Sequence, residues 1–439
     1  MLLFILGILI MLVGLAVSIG LHELGHLLPA KLFGVRVSQF MIGFGKTVFS
    51  VRRGETEYGI KAIPLGGYNA MAGMFPPAKA GAAAREASTG FFRTMVQDAR
   101  TSSAETVDDG QEHRAFYNLA IWKRIVIMLG GPFMNVVIAV VLFAILLCGF
   151  GAAASTIGSV SQCVLPAGST QKTCTGADPT APGAAAGLKP GDRILSIDGQ
   201  QISNWGQSTE IIQRSAGKQL SVVVDRDGTS TALTVTPMKS RQYVQDAQGK
   251  VVKDASGKAQ THEVGFVGIG AGPAVLVPQP ITAVLPAVGA QMGATFGIVF
   301  TLPQRMVDVW NAAFGTQARD PNGPVSVVGV GRMAGEVSSL STIPVVDKVY
   351  TLIGILGSLN IALFAFNMIP LLPLDGGHIA GALWEGIRRF FAKLLRKRDP
   401  GPVDMAKLMP VTFAVIILLG GMSVLLMYAD IVKPINLFG

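Results

Sequence analysis

Long charge-free apolar runs alternate along this chain with short basic stretches. Met1–Leu21 carry no charged side chain, and at about 1.5 Å of rise per residue a helix there spans roughly 31 Å, the depth of a bilayer core. Three similar runs lie between Arg124 and Lys172 (apolar core Ile125–Phe150), between Lys348 and Asp375, and between Lys407 and Asp430. The pattern predicts a polytopic α-helical membrane protein with four transmembrane helices, at residues 1–33, 124–150, 349–378 and 408–430. A signal peptide, the alternative for the first run, would need a basic start and a shorter apolar core. No charge occurs between Glu263 and Arg305 either, so Ile281–Leu302 could form a fifth span. We assign it to the outer surface or to packing on the exported domain, within a connector at 241–346.

Period-two patterns mark two further regions. In residues 34–74, Val48-Phe-Ser-Val51 and Tyr58-Gly-Ile-Lys-Ala-Ile63 alternate around Arg53-Gly54, which predicts a membrane-associated β-hairpin. Its free edge could hold an unwound peptide by strand addition, or it could be an ordinary solvated hairpin. Residues 155–240 read as a small mixed α/β domain. Strands flank Asp198-Gly199, a short helix covers about Gln207–Ser215, and strands at Leu220–Val224 and Thr231–Thr236 flank Asp227-Gly228. Residues 75–118, rich in Ala, Gly and acidic groups with little periodicity, read as a mobile insertion.

Of 439 residues, 50% are hydrophobic and only 14% charged, with a mean hydropathy of +0.49. Soluble domains carry about a quarter charged residues, so a water-soluble globule is excluded. The net charge of +9 reads as topology rather than nucleic-acid binding. Segment 31–124 holds 13 Lys+Arg and segment 381–409 holds 7, whereas the 196 residues of 151–346 hold 14. The basic loops, including 381–407, therefore face the cytoplasm, and the long middle segment and both termini lie outside. Arg388–Arg398 suits a basic helix on anionic lipid, or plain positive-inside charge. Three cysteines exclude a disulfide-built scaffold. Cys163 and Cys174 flank a polar loop in the exported region and are a disulfide candidate, while Cys148 lies in the second span as a free thiol.

The chemistry concentrates in His22-Glu23-Leu24-Gly25-His26, at the end of the first span. Residues four apart share a helix face, so both imidazoles can reach one ion with Glu23 beside it. Three protein ligands plus water make a catalytic zinc site. The third candidate is Asp375, in Asn367-Met-Ile-Pro-Leu-Leu-Pro-Leu-Asp375-Gly-Gly-His378, where prolines break the third span and glycines let it turn. His113, His262 and His378 stand in no comparable motif. With four spans His22, His26 and Asp375 all lie toward the cytoplasmic face, whereas a fifth span at 281–302 would move Asp375 a bilayer thickness away. Asn367 is the candidate for hydrogen-bonding a substrate backbone, with packing of the broken helix end as the alternative. Asn135 is a second candidate, or a helix-to-helix tie.

These residues resemble the site-2 proteases, the intramembrane zinc metalloproteases of regulated intramembrane proteolysis. The resemblance pairs the His-Glu-x-x-His set with Asn367, Pro370 and Leu374-Asp375-Gly376. It extends to Gly43-Phe-Gly45, Pro64-Leu-Gly-Gly67-Tyr68, Trp122-Lys-Arg124, Gly131-Pro132-x-x-Asn135 and Gly323-Pro324-Val-Ser-Val-Val328. It implies one zinc ion per chain held by His22, His26 and Asp375, with Glu23 as general base and with Gly43, Gly45, Asn135 and Asn367 contacting substrate. The region 155–240 is similar to the PDZ domains of bacterial proteases. It shows no clear Gly-x-Gly-Φ carboxylate loop, so steric filtering of large ectodomains is its expected role. A single such domain and Arg52-Arg-Gly-Glu-Thr-Glu-Tyr58 look most like the actinobacterial branch. That branch implies a plasma-membrane enzyme cutting single-span proteins, anti-sigma factors among them, after a first cleavage. Two other classes remain: a membrane-tethered PDZ scaffold with a structural metal, and a membrane peptidase with a downstream glutamate ligand, for which Glu336 and Glu385 are available.

Overall fold

The computed structural model describes residues 1–77, 91–164, 173–176, 178–202, 204–243, 260–321 and 323–435. Two compact units emerge: residues 1–146 with 281–439, and residues 147–280.

The first unit opens with α1 (Leu2–Leu32), which carries the His-Glu-x-x-His set in its last third. The strands β1 (Val37–Arg53) and β2 (Thr56–Met71) follow, turning at Gly54 with φ +60°. Residues 37–42 of β1 pair with 57–60 and again with 67–71, because β2 folds back at Gly66, where φ is +124°. Residues 49–53 flank 56–60 on its other side, so four strand segments lie side by side. The end opposite the Gly54 turn exposes Phe44, Val48, Phe49 and Ile63.

The segment 75–118, expected to be a mobile insertion, contains regular structure. Residues 78–90 lie outside the described residues, but α2 (Phe91–Glu105) is a regular amphipathic helix. It is held by contacts distant in sequence: Arg100 pairs with Asp404, Ser103 bonds Phe75, and Phe91 packs on Phe413. Then comes α3 (Ile121–Ala144), continued by a π-helical turn over Ile145–Phe150.

The second unit contains β3 (Ala152–Val160), α4 (Pro182–Ala185), β4 (Arg193–Ile197), β5 (Gln200–Gln201), α5 (Trp205–Arg214), β6 (Leu220–Arg226), β7 (Thr229–Val235), β8 (Met238–Tyr243), β9 (Thr261–Phe266) and β10 (Ile269–Val277). The main sheet is antiparallel in the order β10-β3-β4-β6-β7, and β8 pairs with β9. Ile157, Ile194, Ile197, Val222, Val224 and Val235 fill its core. Asp198-Gly199 and Asp227-Gly228 all have positive φ, the geometry of tight hairpin turns. The sheet runs past residue 240: β10 comes from the segment assigned to the connector and covers the outer edge of β3, which would otherwise leave its ladder groups unpaired. A disulfide joins Cys163 to Cys174. The two ends of the unit meet, with the Gln279 amide donating to the Leu147 carbonyl at 2.8 Å.

The chain returns through α6 (Val284–Phe300), α7 (Leu302–Phe314), α8 (Val327–Ser339), α9 (Val345–Asn367), α10 (Asp375–Leu394) and α11 (Met409–Val432). Helices α1 and α9 run parallel: Gly14 faces Leu356, and four residues on, Asn360 donates to Ser18 at 3.0 Å. Helices α1 and α3 run antiparallel and cross where Gly25 meets Gly130 so closely that a Cβ on either would clash with the other's carbonyl. Among the described residues, five helices are long and apolar enough to cross a membrane, including Ile281–Phe300. That segment is not a detached surface helix, since Phe296 of α6 packs on Phe364 of α9, with ring centroids 6.0 Å apart.

Candidate metal centre

The glycine crossing of α1 and α3 puts His26 against Gly131, where any side chain would overlap the imidazole. Asp375 reaches the same point from the turn after α9 and opens α10. The Nε2 atoms of His22 and His26 each lie 3.4 Å from Asp375 Oδ2 and 3.2 Å from each other. His26 Nδ1 donates to the Ile127 carbonyl at 2.7 Å, which leaves the Nε2 lone pair free. The Asn135 amide lies 3.1 Å from His22 Nδ1, and Asn135 Oδ1 has no other partner. With Oδ1 turned toward the ring, His22 Nδ1–H donates to it and the second Nε2 is also a lone-pair donor.

This arrangement fits a cation. Two unprotonated ring nitrogens at hydrogen-bond distance repel, and the buried Asp375 Oδ2 accepts no hydrogen bond among the described residues. A metal ion among them relieves both, and two imidazoles with one carboxylate oxygen form a zinc donor set. Among the described residues, these three are the His/Cys/Asp/Glu group able to hold an ion, with ligand atoms within 4.8 Å of one another.

Glu23, nearly buried, projects beside them from the same helix. Asn69 of β2 donates to its Oε2 at 2.6 Å and to its backbone carbonyl at 2.9 Å. Asn69 escaped the sequence reading; one polar residue ending an alternating strand carries no periodic signal.

Other candidates fall elsewhere. Asn135 of α3 contacts His22, one of the candidate ligands. Asn367 is the half-buried last residue of α9. Gly43 and Gly45 lie in β1 with φ +94° and +86°, and Gly43 backs onto the Ile63 carbonyl. His113 and His262 are exposed. Neither late glutamate belongs to the ligand group: Glu336 pairs with Arg332, and the fully buried Glu385 accepts from Arg124, Arg389 and the Val403 amide.

The family model described as peptidase family M50 matches residues 10–397. Zinc metalloprotease Rip1 of Mycobacterium tuberculosis is 32% identical over 99% of this chain and 99% of its own length. Rip1 of Mycolicibacterium smegmatis is 32% identical over 98% of each chain. Metalloprotease MmpA of Caulobacter vibrioides is 28% identical over 87% of this chain and 88% of its own. A match that takes in both halves of the metal centre, with relatives alike from end to end, assigns the chain: it belongs to peptidase family M50.

Proposed function

We propose that this protein is a zinc endopeptidase that cuts single-span membrane proteins within or beside their transmembrane segments, in regulated intramembrane proteolysis. The observation that carries the reading is the convergence of His22 and His26 of α1 with Asp375, which follows the turn after α9, and with Glu23 beside them. When bound, zinc supplies the charge that acidifies water toward neutrality and polarises a peptide carbonyl. Glu23 takes the proton of the attacking water and delivers it to the leaving amine. Hydrogen bonds from the Nδ1 sides hold both imidazoles with Nε2 directed at the site.

The helix directions support four crossings. Parallel α1 and α9 both bring their C-terminal ends to the site, and α3 runs between them in the opposite sense. The chain therefore leaves α3 and enters α9 on one side, so residues between them cross the membrane an even number of times. Helix α6 alone is not a complete span. The basic loops then put the metal centre toward the cytoplasm of a plasma-membrane enzyme, with residues 147–280 outside. That outer unit has the strand order and tight turns that suit a PDZ-type module. The hairpin supplies strand edges that could keep an unwound substrate extended, with Asn367 bonding its backbone. The resemblance of the motifs to the actinobacterial site-2 proteases points to anti-sigma factors as substrates.

The test is zinc content and cleavage of a single-span substrate by purified protein. Wild type should hold one zinc, Glu23→Gln should keep it and stop cutting, and Asp375→Ala should lose it. Stoichiometric zinc in the Asp375 variant would remove the third ligand. Undiminished cutting by Glu23→Gln would remove the base.

A further inference from the structure

We infer that Asn69 is a positioning residue, by which the hairpin rather than α1 alone sets the direction of the base. The inference rests on the reading of Glu23 as the base. Both groups facing the Asn69 amide, a backbone carbonyl and a carboxylate oxygen, are acceptors, so the amide nitrogen must be the atom turned to them. One N–H is fixed on the Glu23 carbonyl, a rigid part of α1, and the other is thereby aimed at the Glu23 carboxylate. Gly67 lies two residues earlier on the same strand face. A Cβ there would come 2.7 Å from Glu23 Cγ and 3.1 Å from Oε1. Gly67 therefore provides the space and Asn69 the clamp. With Oε2 held by a donor, Oε1 is the oxygen left to take a proton.

A second observation separates this from a plain tie between hairpin and helix. Asn69 Oδ1 is buried and has no hydrogen-bond partner among the described residues. Buried polar atoms are rarely left so, and an apolar side chain would join strand to helix without it. An amide at this point meets the demand of the carboxylate at some cost to local bonding.

The experiment measures kcat, KM and zinc in the full-length enzyme. Asn69→Val keeps the volume and removes both N–H groups. It should bind stoichiometric zinc, hold KM within about two-fold and lose about 10–100-fold in kcat, the usual loss for an outer-shell partner. Asn69→Gln, which restores an N–H, should recover part of that loss. In a Glu23→Asp background, whose shorter carboxylate retracts from the amide, Asn69→Val should add little. Wild-type kcat in Asn69→Val, a loss confined to KM, parallel loss of zinc and kcat, or full additivity with Glu23→Asp would each overturn the assignment. Failure of the underlying reading shows separately, as cleavage that persists in Glu23→Gln.

Discussion

Two aspartates, one in each unit, are treated in opposite ways. Asp192 of the second unit is enclosed: Arg226 bonds both its oxygens at 2.7 Å and the Lys189 amide donates at 2.8 Å. Asp375 of the helical unit has Oδ2 buried among two imidazoles with no donor directed at it. A carboxylate whose valences are all met has structural work to do. One whose open lone pair faces two others is arranged for something the polypeptide does not contain. Asn69 and Asn135, each also with a buried, unpartnered oxygen, sit around the same point.

The largest test of this contrast is exchange at the two aspartates. Asp375→Ala should abolish zinc binding and activity together, read by metal analysis and a cleavage assay. Asp192→Ala should leave zinc content at wild-type level while loosening residues 147–280, read by hydrogen exchange of the full chain. Next in size is Asn135→Leu, which frees the His22 ring and should weaken zinc binding about 10–100-fold in a chelator competition. Gly25→Ala forces α1 off the Gly130 carbonyl and should cost about 1–3 kcal/mol of stability, read as a lowered midpoint of thermal unfolding.

The smallest effect is pH-dependent. Burial pushes the Asp192 carboxyl up, but the Arg226 and Lys189 bonds outweigh it and hold the group below its ordinary value. A depressed carboxyl contributes stability above its unfolded value, about 3.9, and loses it as pH falls toward the folded one. Protection of residues 147–280 should therefore decline on acidification in wild type, and less steeply in Asp192→Asn.

What could be read beforehand was what repeats or what chemistry demands. Charge-free runs mark long helices whatever their neighbours, and the His22/His26 spacing states a shared face. Asp375 followed because a histidine pair lacks a third ligand. The remainder depends on partners far along the chain. Helix α2 is fastened by Phe75, Asp404 and Phe413, and β10 exists as a sheet strand because β3 offers an edge. The seat of Glu23 joins Gly67 and Asn69 to a helix about 45 residues earlier, a pairing that no local period encodes.

The bond between Gln279 and Leu147 makes the second unit a cassette with a single doorway: the chain departs and re-enters side by side. An insert anchored in this way can lengthen, shrink or be exchanged without restringing the helices on either side of it. An engineer could thus exchange the unit for another small domain between those two residues and leave His22, Glu23, His26 and Asp375 in place.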